Sequence, residues 1–411
     1  MKKSKLFGMA AMAAMMLGSC STDEVVNDYS PENAIQFGTY VGRDAESRAH
    51  VIKVNELAEE GFGVFAYYTD ESDFANTSTP NFMYNQEVKG KSSTDGSGNT
   101  TYSTTEWEYS PLKYWPNEAN DKVTFFAYAP YDKNDNTTNN IYLNLSENTV
   151  AGVPAITTYL VPTNLSEQVD LLYATPIKNA TKQAINGNVE FTFKHALSRI
   201  GFKVQTLIDK VNTDETGDDG SIKEDTETSQ GEELADATTI TINEVKINFG
   251  SGYLSNGKLE LENGTWSFDG VTPAAQTFTL TSDNFNDFSA NKINSTKKQL
   301  NKDDSYIMII PQFLNRNLND TDNAEDDINI VVTYTVTTND DNLSTPSVVK
   351  NVMTSKDFTF NFEQGKAYNF VLHLGLSSIK LTAEVEDWKD TTEGKDYSTN
   401  VPLNTEETTN P

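Results

Sequence analysis

The sequence predicts an all-β protein of two tandem β-sandwich domains with few short helices. Three observations carry that prediction. Apolar residues recur with a period of two in many short runs, helical periodicity is nearly absent, and Asn-Gly pairs punctuate the alternating stretches. One apolar and one polar face per strand is the pattern of antiparallel sheets packed in pairs. Strands without alternating helices then point to sandwiches. A mature chain of roughly 390 residues is enough for about two domains.

The elements follow in chain order. Lys2, Lys3 and Lys5 precede an apolar run from Leu6 to Leu17. At about a dozen residues this run is too short to span a bilayer and reads as a secretory leader. It ends in Leu17-Gly18-Ser19-Cys20, which resembles a bacterial lipobox, and Cys20 is the single cysteine of the 411 residues. Residues 1–19 are therefore expected to be a lipoprotein signal peptide, with Cys20 as the lipidation site. Each buried acyl methylene contributes about 0.8 kcal/mol, so several chains together hold a protein on a membrane. The following Ser-Thr-Asp-Glu resembles an acidic tag directing lipoproteins to the outer face of the outer membrane.

Ala34 to Val41 is strand-like, with Ile35, Phe37 and Val41 on one face and Thr39 interrupting their row. Val54 to Gly61 is the one fair helix, with Val54, Leu57 and Ala58 on one side and Gly61 as its stop. Further strands are expected at 61–68, 123–130 and 189–197, then at 240–249 with a bulge-like phase change. Others follow at 328–338, 358–362, 368–374 and 379–388. Asn-Gly at 256–257 and at 263–264 should fold Tyr253 to Phe268 into a meander. The charge-rich stretches 209–237 and 315–327, and the polar stretch 90–105, read as surface insertions that burial cannot order. The domain division is placed near residue 186, giving a first sandwich over 49–186 and a second over 187–390, then a polar tail over 391–411.

Composition narrows the function. Sixty acidic against 31 basic residues give a net charge of −29, which argues against DNA or RNA as a partner. The histidines His50, His195 and His373 are far apart in sequence, and no serine is framed as a nucleophile. No enzyme activity and no cofactor are expected. Asp320, Asp322 and Asp326, and Asp132, Asn134 and Asn136, have calcium-like spacing. They lack the turn glycine and distal glutamate of a calcium loop, so no metal site is expected and a solvated acidic loop is the plainer reading.

One series of segments resembles the fimbrillin family, the pilin-like lipoproteins of type V pili. It comprises "IQFGTYV" with "ESRA" at 35–49, "GFGVFAYY" at 61–68, and "YWP" followed by "VTFFAYAP". It continues with "DLLYA" at 170–174, "FKHALSRIGFKV" at 193–204, "YIMIIPQ" at 306–312, "GKAYNFVLHL" at 365–374 and "VEDW" at 385–388. The resemblance implies two transthyretin-like sandwiches and a lipidated segment, 20–48, carrying a removable first strand (Ile35, Phe37, Val41). It further implies cleavage after Arg48 by an arginine-specific protease. The C-terminal segment of a neighbouring pilin subunit would then fill the groove so opened as a donor strand, pairing with an unpaired sheet edge.

The residues alone leave open an ordinary first strand with Arg48 a plain loop arginine. After Trp388 only Tyr397, Val401 and Leu403 are suited to docking, short of the eight or so alternating residues of a strong donor. That favours a tip, accessory or base subunit over a stalk subunit. The expected partners are other pilin subunits, the protease, the outer membrane through lipid, and a host glycan or protein. The rival is a solitary glycan-binding surface lipoprotein that stacks sugars on Trp107, Trp115, Trp266 or Trp388, although core packing is the plainer use of each.

Overall fold

The computed structural model describes residues 33–40, 52, 54–133, 143–206, 237–288, 292–294, 296–303, 305–314, 328–355, 357–375, 379–387 and 399–401. Cys20, Val41, Arg43, Arg48, His50, Trp388, the stretches 209–236 and 315–327, and most of the tail lie outside them. The fold is all-β with few short helices.

The first sheet contains β1 (Gln36–Tyr40), β2 (Phe62–Tyr68), β3 (Met83–Thr94), β4 (Thr100–Glu108) and β5 (Val123–Ala129). Its order is β1, Asn188–His195, Leu172–Ala174, β5, β2, β3, β4, with Ile177–Ala180 also paired to β5. Helix α1 (Val54–Glu60) buries Leu57 and Ala58. It stops at Gly61, whose φ of 77° suits a residue without Cβ and whose N–H closes on Leu57 O at 2.8 Å.

Three larger sheets, with a two-stranded one of Gln312–Leu314 and Phe360–Phe362, build the remainder. Ser198–Thr206 and Lys366–Leu374 form the centre of one, which continues through Ile379–Asp387 to Thr399–Val401. Thr238–Phe249 and Ile328–Thr338 form the centre of the next, flanked by Gln276–Thr281 and Ser347–Thr354. The third joins Ala155–Leu160 to Asn256–Glu260, with Leu143–Leu145 and Thr265–Ser267 at its edges. Strand pairing thus crosses residue 186 in both directions, since Asn188–His195 belongs to the first sheet and Ala155–Leu160 pairs with Asn256–Glu260.

Two apolar cores result. Ile35, Phe37, Leu57, Phe62, Phe125 and Phe191 belong to one. The other begins on the opposite face of the same sheet, with Phe65, Tyr67, Phe126 and Tyr128, and runs on through Phe202, Ile247, Val332 and Phe370. β2 and β5 are therefore covered on both faces, and every residue of β5 is buried. This departs from the expected single wet face per strand. The phase change expected in Thr238–Phe249 is present as a register shift between Ile242 and Glu244.

Two local expectations fail for identifiable reasons. The stretch 90–105 is part of a β3–β4 hairpin rather than an unpaired insertion. Its turn closes with Asp95 N–H on Asn99 O at 2.9 Å and Asp95 Oδ1 accepting from Ser97 and Asn99 N–H. Hydrogen bonding orders it where burial does not. Asn263-Gly264 makes the turn between Asn256–Glu260 and Thr265–Ser267, but Asn256-Gly257 lies inside a strand. A Cβ on Gly257 would meet the rings of Phe268 and Trp266 at 3.1 Å, so that glycine serves close packing, not reversal.

Candidate functional site

β1 is an edge strand. Over Gln36–Tyr40 it pairs in parallel with Asn188–Thr192, and among the described residues it has no strand partner along the opposite side. On the other side of Asn188–His195, the next strand, Leu172–Ala174, reaches only Phe193–His195, and Thr175 N–H adds one bond to Thr192 O at 2.9 Å. Asn188–Thr192 therefore takes its ladder from β1. The register puts Phe37 beside Val189 and Thr39 beside Phe191, which keeps both apolar rows on the inner face.

The entry to β1 is clamped from both sides. Ile35 N–H donates to Lys113 O at 2.9 Å, and Trp115 N–H donates to Asn33 O at 3.1 Å. Gly187 O accepts from Gln36 N–H and from Trp115 Nε1 at 3.0 Å. The Tyr109 hydroxyl reaches Ile35 O at 2.9 Å and Lys113 O at 3.1 Å. Burial pushes that phenol up to about 12, so it stays a neutral donor over the whole neutral range.

Inside the sheet, Ile35 and Phe37 are buried. The Phe37 ring meets Phe62, Tyr109 and Phe125 edge-on, at centroid distances of 6.2, 5.2 and 6.3 Å, and lies parallel to Phe191 at 6.0 Å. Edge-on aromatic contacts add stabilisation beyond the area they bury. Thr39 fits its row poorly, because its Oγ1 is buried and has no hydrogen-bond partner among the described residues. Tyr40 points outward and is exposed.

The chain is next fixed at Ile52. Its side chain is buried, and its N–H donates to Asp170 Oδ2 at 3.1 Å. Asp170 is fully buried and also holds His195 Nδ1 at 2.9 Å. Arg48 falls in sequence between these two fixed points. A His–Asp contact is a familiar part of hydrolase sites, but here the carboxylate is occupied in tethering a backbone. His373 Nε2 contacts Thr382 Oγ1 at 2.9 Å, remote in sequence from that pair. No group of three or more metal-ligating side chains occurs among the described residues.

The three described tryptophans considered for sugar stacking have packing roles; Trp388 lies outside the described residues. Trp115 is buried, and Trp266 donates Nε1–H to Ala196 O at 2.8 Å while packing on the larger core. Trp107 meets Phe62 edge-on at 5.2 Å. Sequence reasoning did not assign Tyr109, Trp115 or Asp170 to this site. Trp115 and Asp170 nevertheless lie in the segments "YWP" and "DLLYA" that carried the resemblance.

Among the described residues no helix is long and apolar enough to cross a membrane. A family profile described as fimbrillin-like matches residues 47–388. Fimbrium subunit Fim1C of Phocaeicola vulgatus is 28% identical over 409 residues, covering 92% of this chain and 95% of that protein. The crystal structure of a fimbrial protein from Bacteroides vulgatus superposes with a TM-score of 0.60 at 23% identity, covering 87% of this chain and 99% of that one. With a matched span that leaves out little beyond the first 46 residues and the tail, the chain belongs to the fimbrillin-like family.

Proposed function

We propose that this protein is a non-catalytic fimbrial subunit or adhesin at the cell surface, exported as a lipoprotein through Cys20. Cleavage after Arg48 separates β1 from the sandwich, and a strand from another subunit takes its place. The observation that carries this reading is the edge position of β1 with Ile35 and Phe37 seated in an aromatic cage.

The magnitudes favour exchange only after cutting. Burial of Ile35 and Phe37 contributes about 1.5–3 kcal/mol each, or about 3–6 kcal/mol together. While β1 is covalently attached this is sufficient, because docking is intramolecular. Once cut, the same contacts must also offset lost translational and rotational freedom, at least about 4 kcal/mol. The balance then falls near zero, and a second strand can compete.

Limited digestion of the purified precursor with an arginine-specific protease tests the proposal. A single cut after Arg48 followed by multimers is the expected result. Resistance at Arg48, or a cut protein that stays monomeric at high concentration, would overturn it.

A further inference from the structure

The sheet centred on Thr238–Phe249 has a gap along one side. Gln276–Thr281 pairs with that strand only over Glu244–Phe249, and the register shift between Ile242 and Glu244 bends the strand where the pairing stops. Thr238–Ile242 keeps Tyr334–Thr338 as its partner on the far side, and among the described residues it has no strand on the near one. The chain turns away after Thr281 instead. A cavity of about 480 Å³ opens between the bare edge and residues drawn from 282–302. We propose that this cavity binds a medium-chain fatty acid, with the apolar chain inside and the carboxylate at the rim.

Size, lining and charge select this class of ligand. The volume falls within the range of about 300–1,000 Å³ usual for small-molecule pockets. Ile240, Ile242, Phe285, Ile293 and Leu300 line the interior, and all five are buried members of the larger core. The rim is cationic in an otherwise acidic chain. Lys292 and Lys302 line it with one carboxylate, Asp287, whereas the whole chain has 60 acidic residues to 31 basic ones. An apolar interior alone would take any hydrocarbon, but two ammonium groups at its mouth favour an anionic head. The bare edge of Thr238–Ile242 adds main-chain N–H donors of the same use. The wall opposite that edge is held without any ligand. Phe285 N–H donates to Ser282 O at 3.2 Å, Asn286 N–H to Leu300 O at 2.8 Å and Lys302 N–H to Asn284 O at 2.8 Å, while Asn286 Nδ2 donates to Asn301 O at 2.8 Å. The cavity is therefore preformed, and binding need not order its walls. The site is separate from β1 and from strand exchange, since it belongs to a different sheet.

The test is calorimetric titration of the full chain carrying Cys20→Ser, so that it bears no acyl group of its own. Octanoate, decanoate and decanol serve as probes, each below the concentration at which it aggregates. Decanoate should bind once per chain and slow hydrogen exchange at Thr239–Ile242. Its affinity should exceed that of octanoate about fifteenfold, because each buried methylene is worth about fourfold. Thr241 is an exposed lining residue, so Thr241→Trp can set a ring in the mouth without entering the core, and it should abolish binding. Unchanged exchange at Val245–Phe249 checks that this variant is folded. Lys292→Gln together with Lys302→Gln should weaken decanoate about tenfold and leave decanol unchanged. Absence of saturable decanoate binding, binding that survives Thr241→Trp, or an equal loss for decanol in the lysine variant would overturn the proposal. So would an extended peptide, Thr-Val-Thr-Val-Thr, that protects Thr239–Ile242 where decanoate does not, since the gap would then be a site for strand pairing.

Discussion

Replacing Phe37 by alanine removes the main anchor of β1 and should cost more than any other single change in that strand. Phe37 is 5% exposed and its ring has four aromatic neighbours, whereas Tyr40, three residues on, is 54% exposed. A buried Phe→Ala change costs about 3–5 kcal/mol, an exposed one within about 0.5 kcal/mol. The loss falls on the docking of β1, because the cage residues keep one another as neighbours: Phe62 and Phe191 meet at 5.9 Å. Docking should weaken by roughly two to three and a half powers of ten, since 1.4 kcal/mol is a factor of ten. Hydrogen exchange at the amides of Gln36–Tyr40 and Val189–Thr192 in the uncut Phe37→Ala precursor is the assay, with Tyr40→Ala as control. Exchange as slow in Phe37→Ala as in Tyr40→Ala would refute the claim that the ring holds the strand. Equal loss across Thr238–Phe249 would refute the claim that the effect is local.

Other consequences follow from the same geometry. Thr39→Val replaces an unpartnered buried hydroxyl and should stabilise docking by about 1–2 kcal/mol, seen as slower release of the fragment after the cut. Tyr109→Phe removes the donor to Ile35 O and should cost about 1 kcal/mol in exchange protection of β1. The folded pKa of Tyr109 is raised to about 12 from about 10 in the unfolded chain. Its contribution is therefore complete below pH 10 and lost as pH rises through 12, and Tyr109→Phe should blunt that part of the alkaline loosening. Asp170→Ala removes the acceptor of the Ile52 N–H, at about 1–3 kcal/mol, and should speed cutting after Arg48 in a timed digestion.

How much of this was legible in the sequence depended on which residues a given signal could reach. Alternation located β1 and its inner row, because a period of two is a local property that needs no partner. The helix was legible for the same reason, its stop supplied by Gly61. The break at Ala196-Leu197, which sends Asn188–His195 and Ser198–Thr206 to different sheets, falls inside the stretch 189–197 expected as one strand. Burial of both faces of β5 could not be read, since Phe126 and Tyr128 look like an ordinary second face until the neighbouring core is in place. The clamp from Tyr109 and Trp115, and the Asp170 tether of Ile52, depend on contacts between residues 74 and 118 positions apart. No local pattern encodes those. Thr39 was visible as an interruption, but its orphan hydroxyl needed the fold.

The central claim is that Asn188–Thr192 relies on β1 for its ladder and can take another strand instead. Hydrogen exchange at Val189–Thr192 measures this directly in three states: the precursor, the cut monomer freed of its fragment, and the assembled multimer. The account predicts slow exchange, then fast, then slow again. Protection that survives loss of β1 in the monomer, or that fails to return in the multimer, would contradict it.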